Sequence, residues 1–546
     1  MKKKWLIQNK HRVDGDWSDD RVLNLLLKNR GIKPADRVAF LNPVSPEKIT
    51  VKQAGLTSSS ISSAVKLIKK TKGRIVIYGD YDVDGISATA ILWEALWKKG
   101  FNVWPHIPSR FEEGYGLNSE SVVKLKEDNP DLELIITVDN GIVANQAVKT
   151  AKDLGIKVIV TDHHLAGKKL PPADVIIHST KLSGAGVAWF LAQELGGDGL
   201  DLAALGTVAD LLPLLGINRS LVVAGLKQLN KKSRLGLKVL SDLAGIGEKS
   251  LDAWLVSYVL SPRLNAAGRL ETGLDALRLL CTNDLVKARK LAQSLEKINK
   301  ERQTLTFDGF AQATKLAENQ SENVIVITEE FFHQGIIGLI AGRLVEAFSK
   351  PALVLSCEGD LVKGSARSVT GCDLMALLGS GREFLIDLGG HPLAAGFTLK
   401  KEKLASFVVQ VKKWAQKNLD SKLLAKELKI DCRIDLAVFN KKFYQLVQKM
   451  APFGMGNPEP VFLVKGLRLV ESRLLGKEGK HLKLFLDDPE TKVVEKVSAE
   501  AIGFGLGDFD QQLKPGVLLD LVFTVDLNQW RGRETLQMKL KDLSLA

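Results

Sequence analysis

Between Arg74 and Asp162 three short runs rich in β-branched residues, RIVIYG, ELIITV and KVIVT, alternate with stretches of helical periodicity such as ISATAILWEALWKKG. That alternation reads as parallel βαβ units. Each run ends on acidic residues or histidines: DYDVDG from Asp80 to Gly85, DNG from Asp139 to Gly141, and DHH from Asp162 to His164. In an open parallel sheet, the loops after the carboxyl ends of the strands form the ligand crevice. The three loops are therefore expected to converge on one site.

A chain of 546 residues is too long for one core and calls for several domains. Residues 1–50 are expected as an N-terminal arm, 51–223 as the first α/β domain and 224–260 as a helical connector. Residues 261–429 carry their own strands (NVIVIT, PALVLS) and Gly-rich turns and are expected as a second α/β domain. Within it, the lysine-rich stretch from Lys400 to Lys429 has apolar residues at helical spacing and reads as a solvated helix face. From 430 to 546, short apolar segments (PVFLVKGLRLV, HLKLFLDD, LLDLVFTVDL, TLQMKLKDL) separated by turn residues have the spacing of a small β-barrel of the OB kind.

A hydrophobic content of 45% with 25% charged residues excludes a disordered chain. Lys and Arg number 76 against 63 Asp and Glu, and a net charge of +13 favours a polyanionic partner. Charge alone does not separate a nucleic-acid enzyme from an ordinary basic protein. Cys281, Cys357, Cys372 and Cys432 lie far apart with no C-x-x-C pair, so neither a zinc knuckle nor a disulfide framework is expected. Gln8, Asn9 and Lys10 interrupt any apolar stretch after MKKKWLI, and no run of 18 apolar residues occurs; the reading is a cytoplasmic protein with no membrane partner.

Hard divalent cations prefer carboxylate oxygens, and Mn²⁺ also accepts imidazole. In DYDVDG the acids alternate, so two of them can point into one crevice, with Gly85 allowing the tight turn into the next helix. Alone, such a run is often an acidic turn, and a lone Asp at a strand end is usually a cap. Four such loops in order, DYDVDG, VDNG, TDHH and GTVAD, are harder to dismiss.

With these four motifs in this order, the chain resembles the DHH phosphoesterase superfamily, and in particular its RecJ exonuclease branch. The resemblance implies a DHH catalytic domain, a DHH-associated substrate-binding domain and a C-terminal OB-fold barrel. It implies that Asp82, Asp84, Asp139, His163 and Asp210 hold two Mn²⁺ or Mg²⁺ ions, with Asp139 the bridge and His164 beside them facing the phosphate; all six would be catalytic. Asp80 and Asp162 stay outside that set, since an Asp beside a metal His often orients it rather than binding the ion. Tyr78 departs from the pattern: many superfamily members place a His there, four residues before the first ligand Asp, so one metal position would be weaker or completed by water and substrate oxygens.

The same resemblance implies substrate contacts. IPSRFEEGYGL carries Arg110 and Tyr115; SPRLNAAGRL carries Arg263, Asn265 and Arg269, whose forked guanidinium groups suit phosphate. HQGIIG, GSARS and LGGHPLAAGF resemble the DHH-associated domain and supply Ser365, Arg367, Gly390 and His391, with Ser365 at a terminal 5′ phosphate. PFGMGNPEPVF resembles the entry to the barrel, where Trp530, Arg531 and Arg533 either contact a single strand or serve packing and surface roles.

The activity implied is 5′→3′ exonuclease action on single-stranded DNA by two-metal hydrolysis, releasing 5′ mononucleotides in recombination and repair. The partners implied are single-stranded-DNA-binding protein and a helicase, and the location is the nucleoid. Two alternatives stand beside it. A DHH phosphodiesterase for short oligoribonucleotides or cyclic dinucleotides usually lacks the barrel, and a non-catalytic nucleic-acid-binding scaffold would lack ligand carboxylates that this chain retains.

Overall fold

The structure is a computed structural model describing residues 3–546 apart from 15–16, 111, 115, 421–425, 477, 490–497 and 531–532; the side chains of 10–12, 498, 529–530 and 533 are likewise not described. Tyr115, Arg531 and the side chains of Trp530 and Arg533 thus lie outside the described residues.

The three β-branched runs form strands Arg74–Tyr78, Leu132–Val138 and Lys157–Asp162. With Val103–His106 and Val175–His178 they make a five-stranded, all-parallel sheet in the order 103–106, 74–78, 132–138, 157–162, 175–178. Ile75, Val76, Ile77 and Tyr78 are all buried, as a parallel sheet covered on both faces requires. The chain runs from Arg74–Tyr78 out to the edge at Val103–His106, then crosses back to Leu132–Val138. This reversal opens a crevice between 74–78 and 132–138. Helix Val83–Trp97, buried at every position from Val83 to Leu92, starts at that crevice.

The first core extends beyond the boundary expected at residue 223. Leu237, Leu240, Leu264, Leu277, Leu280, Leu291 and Leu295 pack in one cluster with Ile77 and Trp189. Burying a leucine stabilises by roughly 1.5–3 kcal/mol, so the apolar faces of 224–260 and of 261–295 fold onto the first domain. The link to the second unit is instead the helix Leu285–Glu318, 34 residues and so about 50 Å long. Its Leu291 and Leu295 lie in the first core, its Ala313 and Ala317 in a core of the second unit.

That second unit is a five-stranded sheet in the order Leu385–His391, Ala394–Lys400, Leu361–Arg367, Ala352–Glu358, Ile325–Glu329, with only the last pair parallel. Helix Ile337–Phe348 packs on one core, helix Leu404–Asn418 on the other. The latter buries Phe407, Val411 and Ala415 and leaves Lys413 and Lys417 exposed, a solvated lysine face over part of the expected stretch; Glu427–Lys429 instead begin a strand, and 421–425 lie outside the described residues.

The barrel sheet runs Lys4–Val13, Glu427–Ile434, Phe462–Leu475, His481–Asp487, Ser498–Gly503, Arg533–Leu545, Leu518–Trp530, with Phe462–Leu475 also pairing with Leu518–Trp530 to close it. Residues 1–50 are therefore not a free arm. Lys4–Val13 pairs in parallel with Glu427–Ile434, and Val22, Leu23, Leu26, Leu27 and Phe40 sit in the barrel's core. The reason is amphipathic: helix Asp19–Asn29 carries those four aliphatic residues on one face.

Arg219 fastens the barrel to the first domain. It is buried, its ring neighbour is Phe40 at 3.9 Å, and it donates to the carbonyls of Phe40 (2.6 Å), Met450 (3.0 Å) and Ala451 (2.7 Å). Nearby, the Leu214 N–H donates to the Met455 carbonyl at 2.8 Å. Among the described residues no helix is long and apolar enough to cross a membrane.

Candidate metal centre

Four loops at the crevice bring their side chains together. Asp82 caps helix Val83–Trp97: its Oδ1 accepts from the N–H groups of Asp84 (2.9 Å) and Gly85 (3.0 Å). Asp84 is buried at the start of that helix and accepts from Gly184 N (2.6 Å) and Ala185 N (2.9 Å), the amino end of helix Gly184–Glu194. Such helix ends favour an anionic side chain. Asp139 follows its strand in a left-handed conformation, φ +63°, which is strained for a residue with a Cβ and which clusters at functional sites. The Asn140 amide donates to the carbonyls of Tyr78, Gly79 and Val138, tying the two central strand ends together.

His163 Nε2 lies 3.0 Å from Asp139 Oδ1, 3.6 Å from Asp210 Oδ2 and 3.8 Å from Asp84 Oδ2. Three overlapping donor groups result: Asp84, His163 and Asp210; Asp139, His163 and His164; and Asp80, Asp82 and Asp139, with ligand atoms within 4.8 Å of one another in each. Asp139 belongs to two of them.

Electrostatics say what this cluster requires. Burial, reinforced by the charge of Asp82, pushes Asp84 up to about 7. Burial and the charges of Asp84 and Asp82 push Asp210 up to about 8. Asp80 and Asp139 are raised for the same reasons, burial first and neighbouring carboxylates second. Burial, with the charge of His164, pulls His163 down to about 4, leaving a neutral imidazole suited to a metal. Asp139 Oδ1 is buried and accepts no hydrogen bond. A buried set of carboxylates and imidazole with an unbonded oxygen at its centre fits two hard divalent cations.

Asp162 stands behind the cluster. Its Oδ1 takes the His164 ring Nδ1–H (2.8 Å) and the N–H groups of His163 (2.7 Å) and His164 (3.1 Å), while Oδ2 takes Ile142 N (2.8 Å). Burial opposes a charged His164, but the Asp162 carboxylate outweighs it and pushes the imidazole up to about 9. Substituting Asp162→Asn is expected to lower metal affinity or activity about 10- to 100-fold, the scale for removing a partner that orients a ligand. The check is the Mn²⁺ concentration that gives half-maximal rate.

Tyr78 does not reach the donor groups. Its ring is buried and stacks on His106 at 4.9 Å, and its hydroxyl lies 3.3 Å from the Gly116 carbonyl. Asp80, left out of the sequence-based set, is the carboxylate that joins Asp82 and Asp139 instead. Alternation in DYDVDG was a signal for it; what sequence did not carry was the burial that turns it inward.

The expected substrate residues divide. Arg110, Arg269 and Arg367 come together. Burial, then the charges of Arg110, Arg302 and Arg367, lowers Arg269 to about 10, and burial, then Arg110, lowers Arg367. Cations crowded in this way attract a polyanion. Arg110 lies over the Tyr81 ring at 5.4 Å, on a loop held by Glu113, which accepts from Ser109 N (3.0 Å) and Ser121 Oγ (2.8 Å) and pairs with His106 (3.0 Å). Arg367 donates to Ser365 Oγ at 3.2 Å, and Gly338 leaves both their space: a Cβ there would sit 2.9 Å from Ser365 Oγ. Asn265 Oδ1 accepts from Val83 N (2.9 Å), so it supports the metal loop. Arg263 is engaged by Glu296 at 2.6 Å. Gly390 and His391 are exposed at the end of their hairpin, and the register His391–Ala394–Arg367 places His391 and Arg367 at one end of the sheet. Arg302, in the long helix, had no motif to reveal it.

Three family descriptions match the chain: the DHH family N-terminal domain over residues 74–214, the DHHA1 domain over 321–417 and the RecJ OB domain over 430–542. The single-stranded-DNA-specific exonuclease RecJ of Bacillus subtilis is 35% identical over 87% of this chain, and the chain spans 61% of that relative's length. The protein of the same name from Salmonella typhimurium is 34% identical, with 89% of this chain and 90% of the relative covered. Crystal structures of Thermus thermophilus RecJ with Mn²⁺ (TM-score 0.80, 29% identity, 100% of this chain and 80% of that one) and with Mg²⁺ (TM-score 0.75, 28% identity, 99% and 78%) have the same fold. The order of domains, the carboxylate and histidine loops and these likenesses agree: the chain belongs to the RecJ family of single-stranded-DNA-specific exonucleases.

Proposed function

We propose that this chain degrades single-stranded DNA from its 5′ end, releasing 5′ mononucleotides by hydrolysis at a centre of two Mn²⁺ or Mg²⁺ ions. The observation that carries this reading is the buried carboxylate and imidazole cluster beside three crowded arginines, Arg110, Arg269 and Arg367, which come from three separate segments. Asp84, Asp139, His163 and Asp210 would hold one ion, and Asp80, Asp82 and Asp139 would hold the other. When bound, such ions activate the attacking water and neutralise phosphate charge. The rest is done by side chains. Arg110 and Arg367 hold the phosphate oxygens in line with the cluster, Ser365 receives the terminal 5′ phosphate, and His391 closes on the strand from the end of its hairpin. His164, anchored through Nδ1 by Asp162, presents its other ring nitrogen to the phosphate.

The name of the bacterial relatives and the basic charge support action on single-stranded DNA; we further place that action in recombination and repair, in the cytoplasm at the nucleoid, alongside single-stranded-DNA-binding protein and a helicase. The test uses 5′-labelled and 3′-labelled single strands and a blunt duplex with Mn²⁺. Labelled mononucleotide is expected first from the 5′ label and not from the duplex. Release first from the 3′ label overturns the polarity, and cleavage confined to dinucleotides favours the short-oligonucleotide activity.

A further inference from the structure

Trp254 and Tyr258 lie one turn apart in the helical segment that follows Asp252, their rings stacked at 5.4 Å and 26°. Both are exposed, Trp254 at 51% and Tyr258 at 66%. Lys539, from the barrel strand Arg533–Leu545, lies over the Trp254 ring at 5.6 Å. The turn Val256–Leu260 is π-helical, a form found frequently at functional positions. Asp252, the acid of this turn, is committed to capping the Leu255 N–H at 2.7 Å.

The segment runs directly into helix Ser261–Leu270. Asn265, which holds the Val83 N–H at the metal loop, is seven residues past Tyr258, two turns on and about 10 Å along the axis. Arg269 follows one turn later, within reach of the charges of Arg110 and Arg367. One end of this helix therefore stands at the metal centre, and the other presents two stacked aromatic rings and a lysine beside the barrel.

We propose that Trp254, Tyr258 and Lys539 form a base-stacking step that carries a single strand between the barrel and the metal centre; this rests on the function proposed above. Exposed aromatic faces with an adjacent cation suit single-stranded nucleic acid, because every base offers a π-face and each step offers a phosphate. At 3.4 Å per stacked base, the 10 Å span corresponds to about three nucleotide spacings. Three such spacings need about four nucleotides, so a strand of three or fewer cannot occupy the step and the cleavage site together.

The experiment measures kcat and KM of the full chain on a 20-nucleotide strand and on a trinucleotide. Trp254→Ala is expected to raise KM for the 20-mer about tenfold, within the range measured for one lost stacking contact, with kcat unchanged on both substrates and KM unchanged on the trinucleotide. Trp254→Phe is expected to restore the wild-type KM. An unchanged KM for the 20-mer in both Trp254→Ala and Tyr258→Ala overturns the proposal, as does a parallel rise on the trinucleotide. If Trp254→Ala does not fold, Tyr258→Ala and Lys539→Gln decide by the same readout. If the wild type does not degrade the 20-mer, the proposed function fails by itself, and fluorescence anisotropy of labelled oligo(dT) then decides the stacking step: weaker binding in Trp254→Ala supports it and equal binding overturns it.

Discussion

Asp139→Ala is expected to reduce the rate on single-stranded DNA by about 10³-fold or more at saturating Mn²⁺, the scale set by loss of a principal electrostatic element of a site. Asp139 is shared by two of the donor groups, is only 2% exposed and accepts no hydrogen bond at Oδ1. At that oxygen its carboxylate faces the His163 imidazole at 3.0 Å without accepting a hydrogen bond, and it carries a large electrostatic cost. Stability without metal should move the opposite way from activity, and Asp139→Asn, which keeps the shape, is expected to melt at a higher temperature than wild type in EDTA and to lose most of the rise that Mn²⁺ produces.

The pH dependence has a definite sign. Asp84 and Asp210 are raised to about 7 and about 8, and His164 to about 9. Between pH 6.5 and 8 the folded protein retains protons on these three groups that the unfolded chain has largely released, which outweighs the fraction of a proton the unfolded chain keeps on His163, so its stability falls as pH rises. Melting in EDTA from pH 6.5 to 8 should show that fall, and Mn²⁺ should flatten it. A metal-free melting temperature that rises over this interval would contradict the electrostatics.

Gly184→Ala is the second large effect, at a residue that carries no chemistry. A Cβ there would lie 2.5 Å from both Cβ and Oδ1 of Asp139, while the Gly184 N–H holds Asp84 at 2.6 Å. Either the helix amino end retreats from Asp84 or Asp139 is displaced. Misplacement of reacting groups by about 1 Å can cost about 10²-fold in rate, and overpacking typically costs about 1–3 kcal/mol. Activity and denaturant melts should both report it. Gly206→Ala, whose Cβ would fall 2.3 Å from Asp84 Oδ1, should behave alike. Gly342→Ala, a helical site with nothing within 4 Å, should be neutral or stabilising by up to about 1 kcal/mol.

The central sheet was readable because its strands are short, β-branched and each followed by a chemically distinctive loop, so local pattern and global topology coincide. The gathering of Asp82, Asp84, Asp139 and His163 follows from that topology, whereas Asp210 is brought in by the carboxyl end of helix Leu200–Ala209. The long helix Leu285–Glu318 was not readable: its polar stretch KINKERQTLTFDG breaks the apolar period, since its middle bridges two cores instead of lying on one. Nor could the sequence assign Arg263, whose partner Glu296 is 33 residues away, or turn Tyr78 from the donor groups toward Gly116. The pairing of Lys4–Val13 with Glu427–Ile434 joins segments more than 400 residues apart, and no local signal reaches that far.

That last pairing bears on how the protein is made. Strand Lys4–Val13 and the aliphatic face of Asp19–Asn29 emerge from the ribosome early, but the partners that cover them lie beyond residue 427. At about 5–20 residues per second, they wait roughly 20–80 s while two complete α/β units are synthesised and fold between them. For that interval Val22, Leu23, Leu26 and Leu27 are a sticky patch on a nascent chain, and a holding chaperone would find its substrate there.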